Sequence, residues 1–277
     1  MKRIYYVLIQ LFLILSVILL LLPVLWVVLI SFYSRDLMRT IFSEILHGRL
    51  HLSSLTLGNY LYILTDPNFL QWLLNSAIVA ASVAFVSTFI GFMAGYGISR
   101  YQFPGRRVFL ISLLVTQLFP IAMMIVPFLI IMSLLGLIGT LQGLSLAYLA
   151  TTLPFSIWIL KGFFDTVPSD IEEAAVVDGA NLLQLIGYVL IPISRPALAT
   201  SFIFSFVTCW NEYAISFVFL SDVSLYTLPP GIKSLLDNND LSGFAAAVVL
   251  VSIPVVFLFM YIRKELVESV TLGSVKE

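Results

Sequence analysis

PSDIEEAAVVDGANLLQLIGYVLIP, residues 168–192, is the polar interlude from which the rest of the chain can be read, because long apolar runs lie on both sides of it. Asp170, Glu172, Glu173 and Asp178 crowd its first half, too much charge for a segment immersed in lipid. Pro168, with Val167 before it, predicts the end of the incoming helix. Ser169 followed three residues later by Glu172 reads as a capping box opening a short helix, and Asp170 with Glu173 repeats the offer. Gly179 breaks that helix after Asp178. Leu182, Leu185, Ile186 and Val189 then recur at helical spacing, and Pro192 is expected to close the segment. The predicted shape is helix, glycine break, helix. Ala174 and Ala175 form a low surface beside Glu172 and Glu173, a compact knob suited to a groove in another protein.

Outside this island the chain is overwhelmingly apolar. Of its 277 residues, 60% are hydrophobic and only 10% charged, and the mean hydropathy is +1.06, whereas soluble domains carry roughly a quarter charged residues. The chain is therefore an integral membrane protein. Apolar windows long enough to cross a hydrocarbon core fall at residues 5–33, 70–99, 108–134, 144–164, 197–220 and 244–262. This predicts an all-α, polytopic protein with six transmembrane helices. Gly136, Gly139, Thr140 and Gln142 place a turn between the third and fourth windows.

Lys2, Arg3, Arg100, Arg106, Arg107, Lys161, Arg195, Arg263, Lys264 and Lys276 fall on the side shared by the two termini. Arg35, Arg39, Arg49 and Lys233 fall on the other. Basic residues favour the cytoplasmic side, so both termini and the acidic island are expected in the cytoplasm of a cell whose plasma (inner) membrane holds the chain. The first run lacks a small-residue cleavage site and reads as a retained helix. The expected organisation is a first helix and extracytoplasmic segment (1–70), a five-helix core (71–263) carrying the island at 165–192, and a cytoplasmic tail (264–277).

Glu173-Ala174-Ala175, three residues, Gly179, nine residues, then Val189-x-Ile191-Pro192 closely resembles the EAA loop of permease subunits in ATP-binding-cassette (ABC) importers, with Val and Ile standing for the usual Ile and Leu. Asn75-Ser76, Tyr101-x-Phe103-Pro104-Gly105, Trp210-Asn211-Glu212, the tract SDVSLYTLPPGI and Gly273-Ser274-Val275-Lys276 extend the resemblance to the carbohydrate-uptake branch, and most to the smaller permease of maltose-type transporters. The resemblance implies a type I importer fold and an ATP-driven, binding-protein-dependent uptake of an oligosaccharide such as maltose or trehalose. It implies four kinds of partner: a second permease, two ATPase subunits, an extracytoplasmic sugar-binding protein and membrane lipid. Asp170, Glu172, Glu173, Ala174, Ala175, Asp178, Gly179 and Pro192 would form the ATPase-docking loop. Leu236, Asp237, Asn238, Asn239 and Asp240, the polar tip after a turn at Pro229-Pro230-Gly231, would reach into the binding protein.

No phosphate-binding loop of the form G-x-x-x-x-G-K-[ST] occurs in the chain. It is thus read as a transport subunit without a catalytic site or cofactor of its own, with ATP and Mg on partner subunits. His47 and His51 have a zinc-compatible spacing but no third ligand, so no metal is expected. No basic patch points to nucleic acid. Trp210, Asn211 and Glu212 place an aromatic, an amide and a carboxylate inside an apolar window, where polar groups face protein or water. They are read as part of a sugar pathway, with a contact between helices as the alternative. A stand-alone channel or secondary transporter, an intramembrane enzyme, and an importer of a non-sugar solute are the competing classes. The first would more often show internal repeats and several intramembrane charges.

Overall fold

The computed structural model describes residues 2–34 and 55–274. His47, His51, Arg35, Arg39, Arg49 and Lys276 lie outside the described residues. Among those described, the regular structure is helical apart from an isolated antiparallel bridge between Tyr33 and Leu55. In chain order the helices are α1 (Lys2–Phe32), α2 (Gly58–Thr65), α3 (Pro67–Arg100), α4 (Arg106–Leu118), α5 (Ile121–Leu134), α6 (Leu141–Phe164), α7 (Asp170–Val177), α8 (Leu182–Asn211), α9 (Ala214–Phe219), α10 (Leu228–Asp237) and α11 (Leu241–Ser274).

Five of these, α1, α3, α6, α8 and α11, are long and apolar enough to cross a membrane. The third predicted window is not one straight helix. It divides at Phe119 and Pro120 into α4 and α5, which are bent by 107°. Pro120 takes an extended ψ of 134° and has no N–H to continue the ladder. Each half is too short to span alone, so a sixth crossing requires α4 and α5 to act as one bent span. The fifth window also differs, since α8 begins well before residue 197 and stops at Asn211. The predicted turn between the third and fourth windows is present, with Gly136 and Gly139 at φ +68° and +73°.

The chain forms two compact units, one comprising Met1–Leu70 with Gly231–Ile253 and the other Gln71–Pro230 with Pro254–Glu277. In the first, Asn59 donates to the carbonyls of Ser31 (2.9 Å) and Tyr33 (2.8 Å), and the Ser31 and Tyr60 hydroxyls meet at 2.6 Å. The two Asn59 bonds satisfy carbonyls left open at the end of α1. Most of α1 itself is exposed and apolar on every side, as befits a helix facing lipid or another subunit.

In the second unit α3, α6 and α8 pack along small residues. Hydroxyls of Ser87, Ser156 and Ser205 form a buried triangle with sides of 2.8, 3.1 and 3.4 Å, and Thr88 meets Ser201 at 3.2 Å. A Cβ on Gly95 would stand 2.7 Å from the Lys161 backbone nitrogen, and one on Gly91 would stand 2.9 Å from the Ser156 Cβ. Gly91-x-x-x-Gly95 is thus a small-residue seam that lets the backbones of α3 and α6 approach. The role of these hydroxyls and glycines appears only once the helices are paired.

Candidate functional site

The acidic island folds as predicted in outline, with different detail at both ends. Helix α7 is followed by Gly179 at φ +87°. Its amide donates to Val176 and that of Ala180 to Ala175, each at 3.0 Å, so the loop leaves α7 through a Schellman turn that requires the left-handed residue. The Ser169–Glu172 capping box does not form. Ser169 has helical φ and ψ and makes no side-chain cap, and Glu172 is bonded elsewhere. The reciprocal box forms instead between Asn181 and Gln184, both bonds being 2.9 Å. Pro192 does not close the segment. Residues Leu185–Leu190 make a widened π turn, and the helix then runs through Pro192 to Asn211, the wide turn lying beside the proline that cannot join the α ladder.

Glu172 is the hinge of this arrangement and points inward. Its Oε1 accepts from Arg100 Nε at 2.6 Å and its Oε2 from the Tyr96 hydroxyl at 2.8 Å. The same guanidinium donates through Nη1 to the Phe164 carbonyl (2.9 Å) and through Nη2 to that of Val167 (3.0 Å). One side chain at the end of α3 therefore joins the last turn of α6, the linker and α7, and it satisfies carbonyls that a helix end leaves open. The acidic first turn of α7 also complements the positive end of its dipole.

Beneath this anchor Phe92, Leu160, Phe164, Leu185, Leu190 and Ala197 form a buried cluster, with Tyr96, Ala175, Ile186 and Val189 packed against it. The rings of Phe92 and Tyr96 each stand 5.4 Å from that of Phe164 in edge-to-face geometry. The predicted docking residues thus divide. Glu172 and Ala175 belong to the inner face. Asp170, Glu173, Ala174, Asp178 and Gly179 are exposed, and Pro192 is half-buried within α8. The outward surface also includes Val177 (86% exposed) and Leu183 (80% exposed), which the sequence reading did not single out. Apolar residues so open on an otherwise acidic knob are the signal that would have found them.

The Trp210–Glu212 group lies at a break and not within a continuous span. Glu212 has an extended ψ of 124° and ends α8. Its Oε1 accepts from the Ile215 amide (2.8 Å), and its Oε2 accepts from the Ser216 amide (3.1 Å) and the Tyr148 hydroxyl (2.7 Å). The carboxylate thereby caps α9 and ties it to α6 within this chain, so no second subunit is needed to satisfy it. Asn211 is exposed and donates back to the Val207 carbonyl at 3.0 Å, while Trp210, only 2% exposed, stacks on Phe206 at 5.2 Å. The three neighbours therefore occupy different surroundings.

Asn75 and Ser76 hold the approach to the last loop. Asn75 donates to the carbonyls of Ser224 and Tyr226, both at 2.9 Å, Trp72 donates to that of Val223 at 2.7 Å, and Ser76 accepts from the Leu228 amide at 2.7 Å. Two bonds from Ser224 to Asp222 hold that exposed carboxyl below its usual range. Pro229-Pro230-Gly231 does not make the predicted turn. Both prolines sit in the first turn of α10, where their missing N–H groups cost nothing. Leu236 and Asp237 complete α10. The polar tip follows, with Asn239 at φ +58° and Asp240 accepting from the Gly243 amide at 2.9 Å.

The maltodextrin transport system permease protein MdxG of Bacillus subtilis (strain 168) is 30% identical over 226 residues, covering 80% of this chain and 81% of that protein. The maltose/maltodextrin transport system permease protein MalG of Salmonella typhimurium is 36% identical over 222 residues, 76% of this chain and 75% of the other. The trehalose/maltose transport system permease protein MalG of Thermococcus litoralis is 31% identical over 268 residues, 95% and 94% of the two chains. Among solved structures, a chain of a bacterial ABC transporter involved in the import of the acidic polysaccharide alginate superposes with a TM-score of 0.76 at 24% identity, covering 95% of this chain and 96% of that one, a likeness of fold. Residues 87–271 match the binding-protein-dependent transport system inner membrane components, and the chain belongs to that family.

Proposed function

We propose that the chain is a permease subunit of an ATP-driven importer that takes an oligosaccharide from an extracytoplasmic binding protein. The reading is carried by the α6–α7–α8 loop. It presents exposed Glu173, Asp178, Val177 and Leu183 while its inner face is bolted through Glu172 to Arg100 and Tyr96. A knob that is acidic and apolar outside and rigidly tied inside suits transmission of movement from an ATPase subunit into α3, α6 and α8. A loose loop would absorb the movement. Family membership and the sugar-transport names of the relatives support the substrate class.

In this reading two ATPase subunits hold ATP and Mg and grip the loop, a second permease completes the path, and the island and both termini face the cytoplasm from the plasma membrane. Leu236, Asp237, Asn238, Asn239 and Asp240 face the binding protein. Asn211, with its exposed amide, borders the path, and Glu212 positions α9 beside it. Co-expression with the ATPase and companion permease, followed by purification and an assay of ATP hydrolysis with loaded binding protein, tests the proposal. Hydrolysis stimulated by sugar-loaded binding protein is expected. A chain that purifies without an ATPase and conducts solute alone would refute it.

A further inference from the structure

We propose that the pocket at the start of α4 holds the phosphate of an anionic phospholipid. The pocket, of about 570 Å³, is lined by Gln102, Phe103, Gly105, Arg106, Arg107 and Lys161 together with Val108 and Leu110. Its lining carries three cations and no carboxylate. Asp165 neutralises Lys161 from the end of α6, so among the described residues the two arginines have no carboxylate partner. Arg106 Nε is buried without a hydrogen-bond partner, an N–H that is costly to leave unmatched.

The first turn of α4 adds to the attraction. Gly105, at φ +86°, provides no side-chain cap, so the positive end of a 13-residue helix opens where the arginines converge. A phosphate would pair with the guanidinium groups of Arg106 and Arg107. What adjoins the basic floor points to a lipid as the source of the phosphate. Phe103, Val108, Phe109, Ile111, Leu114 and Val115 are large, apolar and exposed, and they continue from the pocket along α4. A free phosphate has no use for that surface, whereas acyl chains below a headgroup would cover it. Such a site needs only that this end of α4 meets a membrane surface, whichever face is cytoplasmic.

The test uses the full chain purified in detergent and offered equimolar phosphatidylglycerol and phosphatidylcholine, with retained lipid counted by native mass spectrometry. Selective retention of phosphatidylglycerol is expected. Arg106→Gln and Arg107→Gln should each weaken it about fivefold and together more than tenfold, while Arg195→Gln, on α8, should leave it unchanged. If Arg106→Gln does not yield monodisperse protein, the exposed Arg107→Gln decides alone. Equal retention of the two lipids, or unchanged selectivity in the arginine variants, would overturn the site. Inorganic phosphate displacing the lipid as effectively as added phosphatidylglycerol would overturn the lipid as its occupant.

Discussion

Replacing Arg100 with Ala should free the docking loop without unfolding the bundle. The substitution removes a charge-assisted bond to Glu172 and two bonds to the Phe164 and Val167 carbonyls, leaving the carboxylate with Tyr96. The two side chains of the pair are 17% and 11% exposed. Breaking a fully buried pair costs about 3–5 kcal/mol, and an exposed pair is worth about 0–1 kcal/mol. A pair at this depth lies between, and the stranded carbonyls can recover water at the helix end, which gives a loss of about 2 kcal/mol in the stability of the loop. Local opening should then be about 30-fold more frequent. The readout is hydrogen–deuterium exchange of the Asp178, Gly179 and Ala180 amides, which are bonded to Ala174, Val176 and Ala175. They should exchange about 30-fold faster, with the buried parts of α3 and α6 unchanged. Glu172→Gln should produce a smaller effect, and the double variant should cost less than the sum of the two. Unchanged exchange at these amides in Arg100→Ala would refute the anchor.

Further substitutions probe other joints. Gly179→Ala meets no neighbouring atom but must hold φ +87°, so it should cost about 1–2 kcal/mol of loop stability, read by the same exchange experiment, with Asn tolerated better. Gly95→Ala should lower the melting temperature, corresponding to about 1–3 kcal/mol, because its Cβ would press on the α6 backbone; Gly97→Ala, in open space on the same helix, should be neutral or stabilising. Glu212→Gln and Tyr148→Phe should each destabilise by about 1–2 kcal/mol and combine non-additively in thermal melts, whereas altered transport at unchanged melting would assign Glu212 to the path instead.

The helical class, the glycine break and most of the spans were legible because they depend on local chemistry: apolar length, a left-handed residue, and turn glycines at 136 and 139. Glu172 was misplaced for the same reason. An acid at the third helical position is ordinarily a local cap, and its true partner, Arg100, stands 72 residues earlier. The serine triangle joins α3, α6 and α8 across separations of 49 to 118 residues and leaves no periodic trace. Pro192 was read as a terminator although a proline can be carried through a helix when a widened turn precedes it. At Pro120 the proline does break the helix, as a proline inside an apolar run is expected to, and that run is sharply bent. Glu212 shows how an apolar window hides a break, since composition registers the neighbours of a capping carboxylate and not the helix end it stabilises.

The docking role of the loop is tested most directly by site-specific photo-crosslinking in membranes that also hold the ATPase subunit. A probe at Val177, on the exposed tip of α7, is expected to capture the ATPase, and Glu173→Lys should sharply reduce that capture and uptake while leaving the chain inserted. A probe at Leu64, in the other compact unit, serves as the reference. Capture from Leu64 and none from Val177, or full uptake with Glu173→Lys, would contradict the account.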